Sequence, residues 1–359
     1  MYLGYFIVAF GLSLLVTPLV YYIMYRLKVV DEPRSAKRKI HKKKVPLGGG
    51  LAIFVSFFAV MLLAWQGHDI GEEVLPKHML AMFLGSLVLM IGGFLDDTFN
   101  LSPAKQIWFP VVAALIIILF GIGPNYFTNP SGGVFDLSTW KISLGGLGDF
   151  VLIADGIVFL WLMGMMFTTK FLDGLDGLVT GIVTIGALVL FGFTIQQQWL
   201  QPDVAMLSIM FAGACTGFLV WNWHPAKIFL GEGGSLLAGF ILGTLAIVSG
   251  AKIAITLLVM AVPAIDVARV IIRRIQKGTS IVQGDNEHLH FKLVSLGLKQ
   301  PHATLVMYAI SAAIGLSALY LHSAQKLLAL VCILLLMVFI GVWLAKKEKS
   351  KQREADYGA

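Results

Sequence analysis

The sequence predicts an all-α polytopic membrane protein of about eleven transmembrane helices, with the N-terminus outside and the C-terminus cytoplasmic. Three observations predict it. First, 58% of the 359 residues are hydrophobic and only 13% are charged, against about 45–50% and about 25% in a soluble globular chain. That balance excludes a soluble enzyme, a disordered protein and a nucleic-acid-binding domain. Second, the apolar residues gather in eleven runs, near 3–25, 47–65, 79–95, 107–123, 150–168, 178–195, 204–221, 236–250, 253–272, 303–321 and 327–345; about 20 apolar residues cross a bilayer as a helix. Third, 23 of the 27 lysines and arginines fall in alternate connections between these runs. Cytoplasmic loops are recognised by such an excess. Residues 1–345 read as one membrane domain and 346–359 as a basic cytoplasmic tail.

The first run has no basic leader and no small-residue cleavage site, so it reads as a span and not as a removed signal peptide. The connection after it, 26–46, carries nine basic residues, six of them between Lys37 and Lys44. A cluster of this kind attracts anionic headgroups or phosphates, although orientation alone accounts for most of these lysines. His41 lies within it, and Gly48-Gly49-Gly50 opens the second span, where phosphate could meet backbone amides. The connection 124–149, with turn residues Asn129, Pro130, Gly132 and Gly133 before the alternating VFDLSTWKISL, predicts a short periplasmic hairpin. Residues 196–203 read as an interfacial connector with Trp199 at headgroup level. Pro263 and Asp266 predict a kink or break near the end of the run 253–272. Cys215 and Cys332 lie in apolar runs and read as packing residues, not a disulfide or metal pair.

With this orientation eight acids fall at cytoplasmic span ends or in short cytoplasmic loops: Asp96, Asp97, Asp173, Asp176, Glu232, Asp266, Asp285 and Glu287. Carboxylates at a membrane edge need partners or a metal. Asp96 and Asp97 are adjacent, and like charges side by side call for a cation; they also suit a helix end capping a neighbour. Asp173-Gly174-Leu175-Asp176-Gly177 forms an acidic turn that could face a metal or a ribose, or simply cap the next span. Gly231-Glu232-Gly233-Gly234-Ser235 puts an acid and Gly-rich backbone at a helix start, a phosphate-binding arrangement. Asp285-Asn286-Glu287-His288-Leu289-His290 follows Arg273 and Arg274. Its histidines could bind phosphate, donate hydrogen bonds or bind metal, or belong to a plain solvated loop. Together these residues are the equipment for Mg²⁺-assisted phosphoryl transfer between a soluble nucleotide compound and a membrane lipid.

The ordered set VDEPRSAKRKIHKKKVPLGGG, GFLDDTFNLSPAK, DGLDGL, PAKIFLGEGGSLLAG and DNEHLH resembles the polyprenyl-phosphate N-acetylhexosamine-1-phosphate transferases, the glycosyltransferase family 4 superfamily that includes MraY and WecA. The His288-Leu289-His290-Phe291 segment and Leu172 are similar to the WecA-like branch. The resemblance implies transfer of GlcNAc-1-phosphate from a UDP-sugar to undecaprenyl phosphate, release of UMP, and initiation of a cell-envelope glycan. It further implies Mg²⁺ or Mn²⁺, a multi-pass protein of the bacterial inner membrane with its site on the cytoplasmic face, and a homodimer. It implies Asp173, Glu232 and Asp97 as metal ligands and Asp96, Asp97, Asp173 and Glu232 as the catalytic acids, with Asp97 on the lipid phosphate. Lys170 and Asp176 would contact the uridine, and His288, His290, Arg274 and His41 the phosphates or sugar. Three positions depart from the family pattern: Lys170 replaces an Asn, Glu232 an Asp and Phe291 a His. The alternatives are an MraY-type phospho-MurNAc-pentapeptide transferase, a catalytically altered homologue or, in another class, a membrane transporter.

Overall fold

The computed structural model describes residues 1–33, 43–124, 126–128, 133–136, 141–143, 149–250, 253–278, 287–322 and 324–339. His41, Asp285 and the tail 346–359 lie outside them. Helices stand at all eleven apolar runs: α1 (Tyr2–Arg26), α2 (Gly50–Gln66), α3 (Pro76–Phe99), α4 (Pro103–Gln106), α5 (Trp108–Leu119), α6 (Leu152–Leu172), α7 (Leu178–Thr194), α8 (Pro202–Asn222), α9 (Gly231–Val248), α10 (Ile253–Val259), α11 (Ala261–Gln276), α12 (Leu289–Ser295), α13 (Gln300–Ala318) and α14 (Ala324–Phe339). Among the described residues six of these, α1, α3, α6, α8, α9 and α13, are long and apolar enough to cross a membrane. The segment Pro103–Leu119 and helices α2, α7 and α14 are apolar but shorter, and α10 and α11 form a pair bent by 76°. The chain is thus a polytopic helical membrane protein.

Two expectations need correction here. The run 253–272 breaks at Met260, before its proline and not near its end. Pro263 then falls in the first turn of α11, where its missing N–H costs no helical hydrogen bond. The connection before α6 holds two antiparallel ribbons, not one hairpin. β3 (Tyr126–Thr128) pairs with β4 (Val134–Asp136), and β5 (Lys141–Ser143) with β6 (Asp149–Val151). The alternating stretch is divided, its first half pairing backwards and its second half forwards; Gly145-Gly146 is the second turn signal in the sequence. A further ribbon joins β1 (Val30–Asp31) to β2 (Val45–Pro46). Both cysteines are free, but only Cys215 is packed inside; Cys332 is exposed on α14.

α9 is the axis of the bundle, with every residue from Gly233 to Ile247 buried. It packs on α2, α3, α6, α7, α8 and α10. Small residues allow these approaches, as they must where lipid supplies no hydrophobic drive between helices. A β-carbon on Gly93 of α3 would lie 2.0 Å from the backbone nitrogen of Gly233, and one on Gly50 of α2 would lie 2.1 Å from the Cα of Gly234. Gly239 meets the carbonyl of Met165 and the hydroxyl of Thr169 on α6 in the same way. α1 lies along α8, where Gly213 and Gly217 face the carbonyls of Phe6 and Phe10.

Within each of the two sets of loops separated by basic charge, loops pack on one another. In one set Phe229 N–H donates to the Pro46 carbonyl at 2.9 Å, and the Gly49 and Gly50 amides donate to the carbonyls of Phe229 and Leu230. In the other set the 196–203 segment is more than a connector. Asp203, buried in the first turn of α8, accepts the backbone N–H groups of Gly71, Glu73 and Val74 at 3.0, 2.8 and 2.9 Å. Asp203→Ala strands three amides and is expected to cost about 2 kcal/mol. Thermal unfolding in detergent checks this; an unchanged melting temperature would refute the latch.

Candidate active site

Three helix ends bring the charges together. Asp96 and Asp97 end α3, where Asn100 closes the helix in the left-handed region with φ 49°. Lys170 is in the last turn of α6, and Glu232 in the first turn of α9. Gly231 lets α9 start there: its φ is +75°, and a β-carbon would lie 2.4 Å from Asp97 Oδ2 and 2.6 Å from the Gly48 nitrogen. Only glycine meets both requirements.

The side chains are linked in one chain. Asp96 Oδ1 accepts from Leu101 N–H at 2.9 Å and from Gln106 Nε2 at 2.8 Å. Gln106 Oε1 accepts from Lys170 Nζ at 3.0 Å. Lys170 makes an ion pair with Glu232, each side chain 17% exposed. Glu232 N–H donates to Asp97 Oδ1 at 3.1 Å. Asp97 also lies within electrostatic reach of Asp96 and Asp173. Asp173 itself is exposed at the end of α6.

The second acid of the acidic turn faces elsewhere. Asp176 Oδ2 meets His224 Nδ1 at 2.7 Å and accepts the Ala226 N–H at 3.1 Å, tying the 173–177 turn to the loop before α9. The histidine segment docks on the same turn from the other side. Asp266 of α11 holds it: its Oδ2 meets His288 Nδ1 at 3.0 Å and accepts Leu289 N–H at 3.0 Å, while its Oδ1 accepts from Arg269 at 2.7 Å. Arg269 also donates to the Glu287 carbonyl at 2.8 Å. His288 stacks between Phe171 and His290, and a β-carbon on Gly174 would lie 2.5 Å from His290 Nε2. Arg274 is buried on α11.

The structure therefore joins Asp96, Asp97, Lys170 and Glu232, places Asp173 beside them, and sets Asp176, His288 and His290 around the neighbouring turn. Three residues that organise the site carry little sequence signal. Gln106 bridges Asp96 to Lys170, His224 partners Asp176, and Asp266 anchors the histidines. Of the three only Asp266 stands out in the sequence, as an acid at a membrane edge with i, i+3 spacing to Arg269.

His290 is almost wholly buried, and burial pushes its imidazole down to about 3, with His288 adding to the effect. It is neutral in the fold and offers a hydrogen bond, not a charge. An unfolded imidazole protonates near 6.5, so the unfolded chain takes up a proton that the folded chain refuses. Stability is therefore present above pH 6.5 and falls below it, by about 1.4 kcal/mol per pH unit down to about pH 3. Melting temperatures measured from pH 7.5 to 5 should fall more steeply for the wild type than for His290→Gln; equal slopes would refute the assignment.

Among the described residues no three His, Cys, Asp or Glu side chains converge at ligating geometry. Glu232 is engaged by an ammonium, and Asp96 by two N–H donors.

An apolar helical bundle with linked charges at helix ends is the architecture of a multi-pass membrane protein. A family model described as glycosyl transferase family 4 matches residues 79–250, which hold every member of the linked chain. The chain is 31% identical over 343 residues to the probable undecaprenyl-phosphate N-acetylglucosaminyl 1-phosphate transferase of Bacillus subtilis, covering 94% of this chain and 89% of the relative. It is 30% identical to the decaprenyl-phosphate N-acetylglucosaminephosphotransferase of Mycolicibacterium smegmatis, covering 79% and 73%. To the phospho-N-acetylmuramoyl-pentapeptide-transferase of Bacillus subtilis it is 28% identical, covering 88% and 96%. The chain belongs to glycosyl transferase family 4, on the WecA-like side of it.

Proposed function

We propose that this protein transfers GlcNAc-1-phosphate from UDP-GlcNAc to undecaprenyl phosphate and releases UMP, on the cytoplasmic face of the bacterial inner membrane. The observation that carries the reading is the linked chain Asp96–Gln106–Lys170–Glu232–Asp97 at one end of the bundle. The names of the relatives supply the substrates. The eleven-span arrangement with an outside N-terminus, and a homodimer, belong to the same proposal.

In this reading an oxygen of the lipid phosphate attacks the β-phosphorus of the donor. The bond from that phosphorus to the bridging oxygen breaks, and UMP leaves with the bridging oxygen. The α9 N-terminus, with its glycine amides, suits the donor pyrophosphate. Lys170 offers it a positive charge. Asp97 positions the lipid phosphate at the membrane edge and accepts its proton where one is carried. Asp173, Asp176, His288, His290, Arg274 and His41 are assigned to the donor's uridine, phosphates and sugar. Mg²⁺ or Mn²⁺ is part of the proposal, with Asp97, Asp173 and Glu232 as candidate ligands.

Purified protein in detergent with UDP-GlcNAc, undecaprenyl phosphate and Mg²⁺ is expected to release UMP. UDP-MurNAc-pentapeptide in its place is expected to release none, and the opposite preference would move the protein to the MraY-type reaction. Absence of UMP with either donor from folded protein would overturn the enzyme reading. The transporter alternative has less support. The linked charges lie at helix ends, Asp97 and Lys170 each third from the end and Glu232 second from the start, whereas a transport site belongs near mid-span.

A further inference from the structure

We propose that Lys170 is a tethered counter-ion that competes with a divalent cation for Glu232. The inference deepens the proposed function and rests on the cation included there. Asp96, Glu232 and Asp173 all lie within electrostatic reach of Asp97, at the ends of α3, α9 and α6. Such a group needs positive charge, and the fold supplies it from its own chain. The Lys170 ammonium pairs with Glu232 and donates to Gln106, which in turn donates to Asp96. It is thus held from two sides, with only 17% of its side chain exposed.

A free cation must displace this ammonium to reach Glu232. The ammonium is always present at the site, whereas the cation arrives from dilute solution, so the tethered partner has the advantage of effective concentration. Displacement also leaves a partly buried ammonium without its carboxylate, which is costly. Lys170 therefore lowers the affinity of the substrate-free site for divalent cations.

The test is Mn²⁺ binding, followed by electron paramagnetic resonance on the full-length protein in detergent without nucleotide or lipid. Lys170→Asn is expected to bind Mn²⁺ at least tenfold more tightly than the wild type, and Lys170→Gln to do the same. Lys170→Arg keeps the charge and is expected to bind as weakly as the wild type. Adding Glu232→Gln to Lys170→Asn should abolish the gain. Lys105→Gln removes a nearby exposed charge that does not touch Glu232, and should shift affinity less than twofold. Equal affinity of wild type and Lys170→Asn would overturn the proposal. So would a gain that survives Glu232→Gln, or one matched by Lys105→Gln. Because no readout uses UMP, these outcomes stand apart from success or failure of the transferase assay.

Discussion

Asp97→Asn is expected to lower UMP release by about 10²–10⁴-fold, the range for loss of a positioned acid–base group, while the bundle stays folded. Asp97 accepts the Glu232 N–H through its carboxylate. Asn keeps one acceptor oxygen, so the tie between α3 and α9 survives and only the charge is lost. Asp96→Asn should cost less. Asp96 is already taken up by Leu101 N–H and Gln106, so its role is to hold Gln106 and, through it, Lys170. Steady-state rates for both variants, alongside their melting temperatures, distinguish the two acids. Activity of Asp97→Asn within threefold of wild type would remove Asp97 from the mechanism.

The second large effect is on the fold. Gly93→Val should cost about 3 kcal/mol or more, lowering the melting temperature by about 10 °C or preventing folding. Its first side-chain carbon would stand 2.0 Å from the Gly233 nitrogen and 2.1 Å from the Gly233 Cα. These are backbone atoms of a helix buried on every side, so no rotamer change relieves the clash. Gly11→Ala is the matched control. It sits in α1 with nothing within 4 Å of an added β-carbon, and should change stability by no more than about 1 kcal/mol. Melting of Gly93→Val at the wild-type temperature would show that the crossing tolerates a side chain.

Much of the architecture is legible in the amino acids because apolar runs and basic loops are summed signals, robust to any one residue. Every run carries a helix, and loops of one set pack on loops of the same set. The local breaks were less legible. Pro263 marks the bent segment, but the bend falls at Met260, because a proline is accommodated in a first turn more easily than at a kink. The two ribbons before α6 share one alternating stretch, and alternation alone does not say with which neighbour each half pairs. The candidate acids were recognisable from their placement at span ends. Their partners were not, since a glutamine such as Gln106 or a histidine such as His224 has no spacing rule that reports a contact across the fold. The ion pair of Lys170 with Glu232 joins residues 62 apart in sequence, a contact no local pattern reports.

The glycine crossings at Gly93–Gly233 and Gly50–Gly234 have a consequence for how this site can vary. Main chain rests on main chain there, so the spacing between Asp97 and Glu232 is gauged by rigid atoms and does not drift as surrounding side chains are exchanged. The chemistry can then be retuned by exchanging one functional group, such as the cation at 170 or the acid at 232, upon an unmoved frame.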